Sequence, residues 1–235
     1  MKTFKEVYKE HVALTNKNKV ITARIKEIEN LETRRAVAAA GDREKLAELH
    51  GFIKDNETEL MKLYQNEYLN NIIIRFLQDN EKAALYNDCK PALVTVLNKY
   101  NGKPYGEKTS KKIKAELKAL TGCYIWIAAR EINISIRNDN YYEIASVRVV
   151  TNYDNPVITP ENKINAAALE NITVFEKYTD NPRKAARDLI KAHKKAYDAI
   201  EKAQIELSNY LHAAPRSISN NINGWITKPL YHTIL

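Results

Sequence analysis

The chain has 235 residues, a net charge of +8, and 44% hydrophobic and 28% charged side chains, enough for one medium domain or a small domain with an extended appendage. Only 6 glycines argue against cores that need close backbone approach, and 2 cysteines, Cys89 and Cys123, supply neither a disulfide framework nor a zinc cluster. No apolar run approaches a membrane span, and the N-terminus, MKTFKEVYKE, lacks a signal-peptide core, so a cytoplasmic location without membrane contact is expected.

Thr3-Phe4-Lys5-Glu6 has the capping-box pattern, in which the hydroxyl accepts the N3 amide and the carboxylate reaches back. Phe4, Val7, His11, Leu14, Asn18, Ile21, Ile25 and Ile28 follow at alternating three and four spacing, an a/d seam with a polar register residue at Asn18. The seam fades at Glu32 and Arg35. Gly41-Asp42 then marks a turn, with Asp42 placed to cap a second helix carrying Leu46, Leu49, Ile53, Leu60, Leu63 and Leu77. Residues 3–78 are therefore expected to form a long antiparallel helical hairpin. That arm, 1–78, would precede an α+β domain over 79–235.

In the domain, Asp79 or Asn80 is expected to open a shorter helix, and Pro91 to start or kink another through Tyr100. The β-branched run 93–97 leaves a buried strand as the alternative. A loop over 101–106 leads into a lysine-rich helix with Ile113, Leu117 and Leu120 on its apolar face and Gly122 at its end. Residues 99–118 hold seven lysines against Glu107 and Glu116.

The period then changes to two. Strands are expected at 123–127, at Ile132–Arg137, at Tyr141–Thr151 and at 171–178, with a turn at Arg137–Asn140. Thr159-Pro160 is expected to start a short helix carrying Ile164 and Ala168. Asn181-Pro182 opens the last helix, to about Leu211, with Leu189, Ile190, His193, Tyr197, Ile200, Leu207 and Tyr210 on one side. Residues 182–195 hold six basic side chains against Asp188, and these two stretches contain the whole positive excess of the chain. A tail after Pro215, with Trp225, Leu230, Tyr231 and Ile234, is expected to dock on the domain.

Chemical motifs are few. Gly102 to Thr109 is a near miss of a phosphate loop: the glycines are one residue too close, and Glu107 stands where a lysine should follow the second. A turn with Thr109 capping the next helix is the expected structure. The five histidines, His11, His50, His193, His212 and His232, show no ligand spacing, and Ser217 and Ser219 lie in no nucleophile elbow. Tyr124, Trp126, Tyr141 and Tyr142 cluster near the strands. Their expected role is sheet core and cross-strand pairing, with base stacking the alternative. The order of elements matches no RRM, KH or OB pattern.

These readings describe an α+β chain, mostly α: a coiled-coil-like hairpin, then an antiparallel sheet of about three strands flanked by helices. The expected function is that of a non-catalytic accessory protein. It would bind DNA, RNA or a nucleoprotein complex through Lys103, Lys108, Lys111, Lys112, Lys114 and Lys118 and through Arg183, Lys184, Arg187, Lys191, Lys194 and Lys195. The N-terminal seam would serve a partner or a homodimer. The alternatives are an inhibitor from a phage or mobile element that binds a host defence nuclease complex, in the manner of anti-CRISPR proteins, and a coiled-coil scaffold. No metal and no cofactor are expected.

Overall fold

The computed structural model describes residues 1–170, 172 and 178–213. Residues 171 and 173–177 of the expected strand over 171–178 lie outside the described residues, as do the tail after Pro215 and the side chains of Leu207 and Tyr210. In chain order the elements are α1 (Phe4–Ala38), α2 (Arg43–Tyr100), α3 (Glu107–Thr121), β1 (Tyr124–Ile127), β2 (Glu131–Arg137), β3 (Glu143–Val150), a 3₁₀ turn (Ala166–Leu169) and α4 (Pro182–Ala213). The chain is thus mostly helical, with one antiparallel sheet of order β1-β2-β3. Two compact units divide within α4: Met1–Ala186 and Arg187–Leu235. Among the described residues no helix is long and apolar enough to cross a membrane.

The hairpin forms as its spacing predicts. The Thr3 hydroxyl accepts the Glu6 amide, the Glu6 carboxylate accepts the Thr3 amide, and Asp42 Oδ1 accepts the Glu44 and Lys45 amides at 3.0 and 3.3 Å. Val7, Leu14, Asn18, Ile25 and Ile28 are buried, with Phe4, His11 and Ile21 half-buried between them. Their partner is α2 of the same chain. The seam expected to receive a partner or a second copy is therefore filled from within, and a dimer through it would require the hairpin to open.

Polar side chains fix the antiparallel register of the arm. His11 Nδ1 lies 2.6 Å from Glu81 Oε1, where burial raises the Glu81 carboxyl above its ordinary range and the histidine opposes that rise. Asn18 Nδ2 donates to Asn71 Oδ1 at 2.8 Å, and Asn70 Nδ2 donates to Asn18 Oδ1 at 3.2 Å. Thr22 donates to Glu67, Arg24 forks onto Glu59, and Tyr64 donates to Glu29. His11, Asn18 and Thr22, climbing α1, meet Glu81, Asn71 and Glu67, descending α2, so a one-residue slip displaces these pairs together.

Asn18 therefore satisfies specific partners. Asn18→Ile strands the buried Asn70 amide, which costs about 1–3 kcal/mol and outweighs the added apolar contact. The expected result is a lower melting temperature, restored when Asn70→Leu is added. A rise in the single variant would mean that the amide ladder does not set the register.

Helix α2 does not break at Asp79 or Asn80, and it runs through Pro91 to Tyr100. The arm and the domain thus share one helix, and the expected boundary at 78/79 falls inside it. Asn80 is buried, and its amide both donates to Thr179 O (2.8 Å) and accepts from Thr179 N (2.9 Å), so it ties a distant segment down rather than opening a helix. Pro91 is exposed, whereas Tyr86 and Cys89 before it and Leu93, Val96 and Leu97 after it are buried. Burial on both flanks outweighs the roughly 3 kcal/mol that an internal proline costs. Leu93, Val96 and Leu97 face inward while Val94 and Thr95 are exposed, which is a helical period and excludes the strand alternative.

The core lies between the second half of α2, α3 and the inner face of the sheet. It includes Leu93, Leu97, Ile113, Leu117, Ile125, Ile127, Ile132, Ile134, Val147 and Val149. Gly122 takes φ 71° and ends α3, donating its amide to Lys118 O at 2.8 Å. Helix α3 begins one turn earlier than Thr109 predicts. Gly106 stands at the cap, and its carbonyl accepts the Ser110 amide at 2.8 Å. Asn138 Oδ1 accepts the Asn140 and Tyr142 amides and lengthens the β2–β3 turn, so β3 starts at Glu143. No helix starts at Thr159. Ile158 and Ile164 pair as an antiparallel bridge across a tight turn in which Asn162 N donates to Thr159 O at 2.9 Å, and a 3₁₀ turn follows at Ala166–Leu169.

Cys89 and Cys123 meet in this core with their sulfurs 3.7 Å apart, both as free thiols. With the Cys89 thiol as donor, Cys123 is drawn down to about 7 and Cys89 is pushed up. A bulky maleimide should label neither thiol in the folded protein and both after denaturation, read by mass spectrometry. Rapid labelling of native Cys123 would mean that its contact with Cys89 of α2 opens readily.

Candidate nucleic-acid interface

On α3 the inward positions Ile113 and Leu117 are fully buried, so the helix turns its other side to solvent. Lys108, Lys111, Lys112 and Lys118 are exposed on that side, while Lys114 is half-buried at its border. Lys111 is paired with Glu107 at 2.7 Å. Glu116 is engaged by Lys99 at 2.8 Å and by the Tyr100 hydroxyl at 2.8 Å, and these bonds hold it below the usual carboxylate range. Both acidic residues of the stretch are thus occupied. Lys103 is exposed, its Nζ 5.0 Å from the Tyr100 ring centroid. Lys108, Lys112 and Lys118 have no ion-pair partner among the described residues, leaving a cationic ridge.

The loop before α3 is not a phosphate cradle. Gly102 N donates to Ile164 O at 2.8 Å, Lys103 N to Tyr100 O at 3.0 Å and Tyr105 N to Asn162 O at 2.6 Å. Those amides are spent on the backbone, so none of the three is left to hold an anion.

On α4, Asn181 Oδ1 accepts the Lys184 amide at 3.0 Å, with Pro182 at the first helical position. Arg183 and Lys184 are exposed at the end of the first unit. Arg187, Lys191, Lys194 and Lys195 are exposed on the helix of the second. Leu189, Tyr197 and Ile200 are exposed as well, so the side expected to be apolar and buried is not.

The sheet departs most from expectation. The aromatic residues expected in its core lie outside it: Tyr124 is 45% and Trp126 43% exposed, and Tyr141 and Tyr142 stand free at the β2–β3 turn. Strand β1 reads Tyr-Ile-Trp-Ile, and the two isoleucines take the core positions. That alternation was the available signal. Arg137 lies with Cζ 3.9 Å over the Tyr124 ring, and Arg130 with Cζ 3.7 Å over the Tyr153 ring. Arg148 pairs with Glu131, which it holds below the usual carboxylate range. No local motif marks these three arginines, because the sheet register assembles them.

Among the described residues, no group of three or more His, Cys, Asp and Glu side chains is gathered as a metal site. Comparison of the chain with protein-family models, with curated proteins and with solved structures finds no match.

Proposed function

We propose that the chain is a non-catalytic nucleic-acid-binding protein, acting in the cytoplasm, whose primary contact is the lysine side of α3. The observation that carries this reading is the ridge of Lys108, Lys112 and Lys118, exposed on a helix whose own two carboxylates are already occupied, with Lys103 exposed in the loop before it. An ammonium without an internal partner gains most from a phosphate, because each contact releases a condensed counterion. The exposed basic residues of α4, Arg183 to Lys195, add sites of the same chemistry on a second helix. Phosphate contacts position a strand without reading its bases, so binding is expected to be largely indifferent to sequence.

The test is fluorescence anisotropy of labelled oligonucleotides of unrelated sequence, titrated with the full chain over a salt series. With about four phosphate contacts on α3, the log–log slope should be near −3 to −4, and it should be the same for each sequence. A flat slope, or no binding at ~50 mM salt where such contacts are strongest, would overturn the proposal. Binding confined to a protein–nucleic-acid complex would favour the inhibitor reading instead.

A further inference from the structure

We infer that the open face of the β1–β3 sheet is a stacking platform for unstacked bases, so that the nucleic acid this chain takes up is single-stranded. The inference rests on the nucleic-acid reading above and adds the substrate class. Ile125 and Ile127 enter the core, so Tyr124 and Trp126 face outward on β1, 45% and 43% exposed. Among the described elements, α2 and α3 are the principal neighbours of the sheet, and both contribute to the core with its inward residues.

Two residues on one face of a strand stand about 7 Å apart. Stacked bases in a duplex follow one another at about 3.4 Å along each strand. Bases that engage both rings are therefore drawn apart, which a paired duplex does not permit and a single strand does.

The surroundings of the rings are cationic and planar. Arg137 covers Tyr124 at 3.9 Å and Arg130 covers Tyr153 at 3.7 Å. Arg148 is in register with Asn133, which in turn is opposite Trp126. A guanidinium over a ring keeps its N–H groups in its own plane, where they can reach passing phosphates, and its free face can stack on a base. On the strands themselves, Glu131 is paired with Arg148, and Glu143 accepts from the Ser146 hydroxyl at 2.7 Å. Glu131, Asn133, Ser135 and Arg137 of β2 share the face with Arg148 and Ser146 of β3, and Val150, opposite Glu131, is its exposed aliphatic side chain, so polar groups predominate between the rings while Ser135 itself is buried. That combination suits the alternation of bases and phosphates in a single strand better than the aliphatic surface of a protein partner.

The test uses the full chain with Trp225→Phe, so that Trp126 is the only fluorophore of its kind. A single-stranded dT oligomer should quench its emission saturably, and a duplex of equal length should not. Trp126→Ala should weaken single-strand affinity about ten-fold while duplex affinity stays within about two-fold, and Trp126→Phe, which keeps a ring, should retain most of it. Lys108→Glu with Lys112→Glu should weaken both. If single strand and duplex bind alike and neither Trp126 variant changes either, the platform is overturned while the nucleic-acid reading stands. If wild-type chain binds neither at ~50 mM salt, that reading falls and the platform with it.

Discussion

Replacing Lys108, Lys112 and Lys118 together by glutamate should lower nucleic-acid affinity by about a hundredfold or more at ~50 mM salt, since each released counterion contributes about ten-fold there. All three side chains are exposed on α3, and none has an ion-pair partner among the described residues, so no existing contact is lost. Glutamate and lysine have nearly equal helix propensity, so α3 itself should persist. One penalty is foreseeable. Lys118 stands in the last turn, where a carboxylate opposes the helix dipole, at a cost of about 0.3–1 kcal/mol. The triple variant should therefore melt a few degrees lower and bind far more weakly, at every sequence tested. Unchanged affinity in a folded variant would remove α3 from the interface. The matching change at Lys191 and Lys194 measures the share carried by α4.

The second large effect is on the arm. Ile25 is 4% exposed at the α1–α2 seam. Ile25→Asp places a carboxylate there without a cation, and a buried unpaired charge costs about 3–5 kcal/mol. For a chain of this size that lowers the melting temperature by roughly 10 °C. The damage should be uneven, because α2 and no other element is the principal neighbour of α1. Amide exchange should accelerate through α1 and the first half of α2, while the β2 amides, inside the sheet and the core, stay protected. Equal acceleration everywhere would mean that arm and core unfold as one. An unchanged melting temperature and exchange pattern would mean that Ile25 is not packed as described.

Those two variants separate what was legible in the sequence from what was not. Local grammar was legible: the Thr3 capping box, the Asp42 cap, the a/d seam, the αL glycine that ends α3 and the Asn181-Pro182 start of α4 all depend on residues a few positions apart. Breaks were read too literally. Asp79 and Asn80 are signals that open a helix and Pro91 one that starts or kinks it, yet α2 passes all three, because the burial of Tyr86, Cys89, Leu93 and Leu97 is worth more than a local preference. Asn18 was recognised as a register residue, but its partners, Asn70 and Asn71, lie more than fifty residues away and have no sequence signature.

The proposed binding surface divides in the same way. The α3 lysines are a composition signal and were read directly. Their inequality, with Lys111 paired, Lys114 half-buried and Lys108, Lys112 and Lys118 unpartnered, comes from the pitch of the helix and from the positions of Glu107 and Glu116. The guanidinium–aromatic pairs Arg137–Tyr124 and Arg130–Tyr153 join positions 13 and 23 residues apart and depend on strand register and loop closure. The expectation of cross-strand pairing puts Tyr124 and Trp126 in the sheet core. Following the Tyr-Ile-Trp-Ile alternation of β1 one step further turns them outward.

The most direct test of the interface is acylation of lysine side chains in the presence and absence of a single-stranded oligonucleotide, read by peptide mass spectrometry. Lys108, Lys112 and Lys118 should be shielded several-fold by the strand, while exposed lysines of the arm such as Lys9 and Lys62 react at the same rate with or without it. Equal reactivity of the α3 lysines in the two samples, at a strand concentration where anisotropy shows binding, would contradict the account and move the interface elsewhere on the chain.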